Sequence, residues 1–168
     1  RTDPLTGCFN RAHLIEKLPL EIKKALRYGR PFSLIICDLD HFKIVNDTYG
    51  HQGGDQVLKD FIQCVRGEYR NDVDWVARYG GEEFIIALPE TDVGGAFALA
   101  ERIRKSVEKR KIVSGAHEFQ ITVSFGATGF NRDTPPEKVT VENLIREADR
   151  CLYQAKEQGR NRVVVCPL

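Results

Sequence analysis

A chain of 168 residues, 42% hydrophobic and 29% charged, has the length and composition of one soluble globular domain, able to bury roughly 70% of its unfolded surface. A net charge of +1 sets up no global field that would recruit a nucleic-acid polymer or a membrane surface, so any anion site must be local. No apolar run nears the ~18 residues of a membrane helix, and no signal peptide is visible. Cys8, Cys37, Cys64, Cys151 and Cys166 lack CxxC spacing and are expected to be free thiols, buried where the context is apolar, in a reducing cytosol. His13, His41, His51 and His117 are scattered as well, which argues against a zinc site.

In chain order, Asn10 can cap a helix that runs through Leu18, and Pro19 suits the first turn of a second helix, Leu20 to Arg27. "YGRP" breaks it. "FSLIICDLD" then places four consecutive apolar residues, Leu34 to Cys37, before acids, as expected of a central strand covered on both faces. "NDTYGHQGGD" is turn-rich. From Asp55, the residues Val57, Leu58, Phe61, Ile62 and Val65 recur with helical spacing. Asp74 to Tyr79, Gly80-Gly81 and Glu82 to Leu88 predict a strand, a two-residue turn of positive φ and a strand ended by Pro89. Phe97, Leu99, Ala100, Ile103 and Val107 mark the next helix, and "FQITVSFGATGF" a further strand. Val141 to Gln158 predicts an amphipathic helix stopped by Gly159, and "RVVVC" a last short strand. The middle of this order is βαββαβ. It predicts an α+β, ferredoxin-like fold, an antiparallel sheet with helices on one face, extended by extra helices and a C-terminal strand.

Chemistry concentrates at two acidic stretches. Asp38 and Asp40 end the buried strand, and positions i and i+2 of a strand share a face while Leu39 turns inward. Glu82 and Glu83 leave the Gly-Gly turn of "RYGGEEF". If that hairpin lies beside "LIICD", acids from both elements meet at one end of the sheet, and clustered carboxylates need cations between them. Mg2+ is bound by one or two carboxylates with waters and phosphate oxygens. Taken singly, solvated acids at strand ends or a plain glycine turn account for each piece; their coincidence favours metal and phosphate. Lys156 and Arg160 are four apart and share a face if the last helix continues that far. A cation there also complements the helix dipole, which explains one of them without any phosphate.

These residues resemble a family. "RYGGEEF" is similar to the signature of the GGDEF domains, the bacterial diguanylate cyclases, in a GGEEF form. "DPLTGCFNR", "DLDHFKIVNDTYGHQGGDQVL" and "ADRCLYQAKEQGRN" resemble the family's other blocks, in order and over nearly the whole chain. The resemblance implies one catalytic domain over 1–168, an upstream regulatory region lying outside it, and a fold like nucleotide cyclase and polymerase palm domains. The implied reaction condenses two GTP into cyclic di-GMP and two pyrophosphates. It takes place in the cytoplasm, at the interface of a two-fold homodimer that the isolated domain forms weakly. Two Mg2+ per site are implied, with Mn2+ able to substitute, and no nucleic-acid or membrane contact by the domain.

Residue by residue, the resemblance assigns metal binding to Asp38, the Leu39 carbonyl, Glu82 and Glu83, with Asp38 and Glu82 catalytic. It assigns phosphate contact to Gly80, Gly81, Lys156 and Arg160, bordered by Phe42 and Lys43, and guanine recognition to Asn46 and Asp55. Asp40 is expected to support structure, and Asp3 and Arg11 to anchor the N-terminal turn rather than touch substrate. Many members carry an inhibitory product site, RxxD, five residues before the signature glycines. Here Asp74 keeps the acid, Asn71 stands in the arginine position and Arg70 is one residue early, so that site reads as degenerate unless Arg70 substitutes. The competing functions are a catalytically silent GTP-binding regulatory module and a cyclase with a different cyclic nucleotide product.

Overall fold

β1 (Phe32–Leu39) is buried at every position. A strand can be apolar throughout only where both faces of its sheet are covered. The computed structural model, which describes all 168 residues, shows how that cover is built. α1 (Arg11–Tyr28) precedes β1; α2 (Phe42–Glu68), β2 (Trp75–Arg78), β3 (Glu83–Pro89), α3 (Val93–Lys109), β4 (Ile112–Ser114), β5 (His117–Phe119), β6 (Val123–Phe130), α4 (Val141–Glu157) and β7 (Val163–Val165) follow. The main sheet has the order β2-β3-β1-β6-β7, antiparallel except that β7 runs parallel to β6. β1, α2, β2, β3, α3 and β6 make up the ferredoxin-like βαββαβ core, and α1, α4, β7 and the β4–β5 hairpin are additions to it.

Side-chain alternation along β1 divides the core in two. Ile35, Cys37 and Leu39 pack with Phe84 and Phe125 against α2 and α3. Leu34 and Ile36 pack with Ile85 and Ala87 against α1 and α4. The expectation of helices on one face therefore needs correction. The two crossover helices of the core do share a face, but the flanking helices cover the other. No helix of the structure is long and apolar enough to cross a membrane.

Local structure departs from the sequence expectations at four further places. α1 is one helix, not two. Its buried stripe, Leu14, Leu18, Ile22 and Ala25, runs straight past Pro19. Pro19 and Ile15 both lie on the exposed side, so the Ile15 carbonyl that loses its donor faces water. α2 begins at Phe42, far ahead of Asp55, as two helical segments meeting at Gly50 (φ 74°, ψ 175°). Gly53 and Gly54 are helical: a Cβ on Gly54 would fall 2.0 Å from Asn46 Oδ1, and one on Gly53 2.5 Å from Tyr49 Cβ. They serve the close approach of the two segments rather than a turn. "FQITVSFGATGF" is not one strand, because Phe119 pairs with Ile112 in the small hairpin before β6 starts at Val123. Finally, Cys8, Cys37 and Cys64 are free and buried, but Cys151 and Cys166 form a disulfide rather than two free thiols. The turn after α4 and the run of β7 bring their Cα atoms within 6.5 Å, inside the span a disulfide bridges.

Candidate active site

The acidic end of the sheet is assembled by strand pairing. β3 lies beside β1 in a register that sets Glu83 directly opposite Asp38. Residues opposed in this way share a face. The Leu39 N–H donates to the Glu82 carbonyl at 3.2 Å, which closes the loop against the strand end. Asp40 follows on the Asp38 side and accepts from Thr122 Oγ1 and Ser124 Oγ, each at 2.7 Å, and from the Asn161 N–H at 3.1 Å. Its oxygens are thus engaged in joining β1 to β6 and to the segment after α4, a structural part.

Crowding marks the remaining acids. Burial pushes the Asp38 carboxyl above the usual carboxylate range; Lys156 pulls it down, and Glu82 and Asp40 push it further up. Burial likewise raises Glu83, with Asp38, Asp149 and Glu82 adding to the shift and Lys156 opposing it. Lys156, from the last turn of α4, places Nζ 2.5 Å from Asp38 Oδ2. The donors gathered here are all oxygens, and like charges crowd among them. Such a set fits a hard divalent cation better than a soft one.

The glycine loop differs from the predicted turn. β2 ends at Arg78 and β3 begins at Glu83, so four residues connect them, and neither Gly80 nor Gly81 has positive φ. Tyr79 and Gly80 N–H groups both donate to the Glu83 carbonyl, at 2.8 and 3.2 Å, and this wider closure replaces the tight turn. A Cβ on Gly81 would meet nothing within 4 Å, so packing within the chain does not demand glycine there.

Three residues that sequence reasoning did not place at the site hold this loop. Arg78 donates through Nε and Nη2 to the Gly81 carbonyl, at 3.1 and 2.8 Å, and its Nη1 reaches Asp3 Oδ1 at 3.1 Å. Asp3 also accepts from Thr6, so Arg78 ties the N-terminal turn to the loop. Arg11 donates to the Tyr79 carbonyl at 3.2 Å and lies over its ring, 4.2 Å from the centroid. Asp3 anchors the N-terminal turn through Thr6, as expected, and also holds Arg78, whereas Arg11 bonds the signature loop rather than that turn. Arg78 stands inside the motif and was legible as its first letter, although its partner, 75 residues away in sequence, was not.

The remaining candidates fall around this centre. Phe42 and Lys43 open α2 directly after His41, whose left-handed backbone (φ 55°) turns the chain out of the strand. Asn46 lies against Gly54, the residue before Asp55, so the kink in α2 brings both guanine candidates into one neighbourhood, with Asp55 exposed. For Arg160 the condition for a shared face is not met. α4 ends at Glu157, so Arg160 shares no helical face with Lys156. It is exposed, just past a C-terminal turn in which the Arg160 N–H donates to the Ala155 carbonyl at 2.9 Å.

Away from this centre, at the start of β2, Arg70 grips Asp74. Nε and Nη2 reach the two carboxylate oxygens at 3.1 and 2.7 Å, and Nη2 also donates to the Pro89 carbonyl and Thr91 Oγ1, both at 2.8 Å. Asn71 is exposed beside it. The guanidinium one residue early is therefore spent on its own aspartate.

Over residues 1–162 the chain matches the family model described as "Diguanylate cyclase, GGDEF domain". It is 44% identical over 133 residues to diguanylate cyclase A of Treponema denticola, which spans 79% of this chain and 34% of that protein. It is 40% identical over 167 residues to the response regulator PleD of Caulobacter vibrioides, spanning 97% of this chain and 35% of that one. The chain thus spans about a third of the length of these relatives. The crystal structure of the GGDEF domain of DgcB from Caulobacter crescentus, in complex with c-di-GMP, is similar with a TM-score of 0.89 at 32% identity, covering 98% of this chain and 92% of that one.

Proposed function

The chain belongs to the GGDEF family, and on that footing we propose that it condenses two GTP into cyclic di-GMP, releasing two pyrophosphates. We propose 1–168 as a single catalytic domain. The observation that carries the reading is the seating of Asp38 across from Glu83, next to Glu82 and a glycine loop, with Lys156 from α4 at the same place.

Asp38, the Leu39 carbonyl, Glu82 and Glu83 would hold two divalent cations, Mg2+ or Mn2+. When bound, these supply Lewis acidity to the attacking 3′-hydroxyl and neutralise charge on the α-phosphate and the departing pyrophosphate. Gly80 and Gly81 let polyphosphate approach the backbone: neither carries a side chain, and a Cβ on Gly81 would meet nothing within 4 Å. Arg78 and Arg11 hold that loop by its carbonyls. Lys156 and Arg160 balance the terminal phosphates, and Phe42 and Lys43 border them. Asn46 and Asp55 take the base. A carboxylate accepts from guanine N1–H and the 2-amino group together, and adenine offers no such donor pair, so the acid would be left unpaired against ATP.

One site holds one GTP. The attacking hydroxyl comes from a second GTP on a second copy, so two sites face each other across a two-fold axis. Two phosphodiester bonds form, and each closes as one 3′-oxygen displaces one pyrophosphate.

The test incubates the protein with GTP, ATP and Mg2+ and identifies products by mass. Cyclic di-GMP supports the reading; a mixed or adenine-containing cyclic product, or GTP bound without turnover, overturns it. Asp55→Ala is expected to weaken GTP binding and narrow the preference over ATP, read by competition calorimetry. An unchanged preference would remove Asp55 from the base pocket.

A further inference from the structure

Lys156 stands where the charge of a divalent cation is needed. Its ammonium is 2.5 Å from Asp38 Oδ2, in a pair whose side chains keep 32% and 12% of their surface exposed. Glu82 and Asp40 act on Asp38, and Asp38, Asp149 and Glu82 act on Glu83. Lys156 is the cation that opposes them at both Asp38 and Glu83. A metal ion arriving at Asp38 competes with Lys156 for the same oxygen. It would also be left beside an ammonium of its own sign. A lysine can leave, because its charge sits on a flexible four-carbon stem with three rotatable donors. Its place in the last turn of α4 sets it at the edge of the site rather than in the core.

We propose that Lys156 is a resident counter-ion of the acidic cluster, displaced from Asp38 when a divalent cation binds, and that its transfer to the terminal phosphates couples metal binding to nucleotide binding. The transfer rests on the reading of this site as a GTP site. A cation arriving alone must break the ion pair and leaves the ammonium without a partner in a partly buried place. A polyphosphate removes that cost by giving the ammonium new oxygens. Linkage is reciprocal, so the nucleotide tightens the metal by the factor by which the metal tightens the nucleotide. Lys156 thereby does two things: it keeps the crowded carboxylates together before loading, and it favours joint loading over either ligand alone.

The experiment titrates Mn2+ by calorimetry into the wild type and Lys156→Met, with and without 3′-deoxy-GTP, which lacks the attacking hydroxyl. Without nucleotide the variant is expected to bind Mn2+ roughly fivefold tighter or more. With nucleotide that advantage disappears, so the coupling factor, about 5- to 150-fold in the wild type, is smaller in the variant by the factor gained without nucleotide, and what remains is the direct contact of metal with phosphate. Arg160→Met, which removes an exposed cation outside the pair, should leave nucleotide-free Mn2+ affinity near the wild-type value. Unchanged or weaker nucleotide-free binding in Lys156→Met overturns the proposal. Equal tightening in Arg160→Met also overturns it, because general charge rather than the ion pair would then be responsible. Failure of 3′-deoxy-GTP to bind the wild type sinks the GTP reading and the transfer with it, while the nucleotide-free arm still decides the displacement.

Discussion

Glu82 and Glu83 differ from the residues that follow them in what a substitution removes. Phe84, Ile85 and Ile86 are core, whereas the two acids are only half-buried at the strand end. Glu82→Gln is therefore expected to leave the fold intact, with circular dichroism and Tm near wild type, while synthesis of cyclic di-GMP falls to less than about a tenth. Activity retained above that level would remove Glu82 from the metal ligands. A second residue-scale expectation concerns Arg70. Its Nε and Nη2 already serve Asp74, Pro89 and Thr91, which leaves only Nη1 for a guanine or a phosphate unless those bonds break. Asn71 lacks the charge and the planar fork of an arginine. Cyclic di-GMP should bind poorly at this place, and Asn71→Arg should tighten it by about 10- to 150-fold, the worth of a hydrogen bond to a charged group. Calorimetry on both proteins checks this. Tight wild-type binding that disappears in Arg70→Ala would show that Arg70 leaves Asp74 for the ligand.

α4 crosses β6 at close range. Gly126 is the contact: a Cβ there would fall 2.1 Å from the Ala148 carbonyl oxygen and 2.2 Å from the Leu152 nitrogen, backbone atoms that no side-chain rotation moves away. Gly126→Ala must push the helix off the sheet. Overpacking of this kind costs about 1–3 kcal/mol, or more where backbone has to shift. The cost should appear as a lower urea midpoint. α4 also carries Lys156 at its far end, so activity should fall beyond what the lost stability explains when assayed where the variant is still folded. Full activity in a folded variant would mean that α4 moves without disturbing its C-terminal turn. In sequence Gly126 reads as an ordinary glycine within a strand. Its reason is the backbone of a helix that begins 15 residues later.

At the scale of the whole molecule, one copy presents one acidic centre, and the proposed reaction needs two. The rate of cyclic di-GMP synthesis should therefore rise with the square of protein concentration while the dimer is sparse, and linearly once it is saturated. Specific activity measured over a dilution series, beside sedimentation, checks this. Constant specific activity down to concentrations at which sedimentation shows only monomer would overturn the two-copy arrangement.

The motif residues of this protein, and its helices and strands, were largely readable along the chain because their causes are local. The four-residue apolar run of β1, the helical spacing of Val57 to Val65 and the glycine after α4 each act within a turn or two. The order βαββαβ then followed from counting elements. What the chain alone did not disclose depends on partners distant in sequence. α1 passes through Pro19 because its buried stripe packs on the sheet, an energy that local propensity does not contain. Gly53, Gly54 and Gly126 look like turn or strand glycines until the neighbouring backbone or side chain is in place. Cys151 meets Cys166 only once β7 has docked beside β6. Lys156 and Asp38 are 118 residues apart, and their ion pair exists because β1 ends under the last turn of α4. Sequence named the candidate groups of the site; tertiary packing decided which of them touch, because a contact between distant residues becomes favourable only when the whole core has brought them together.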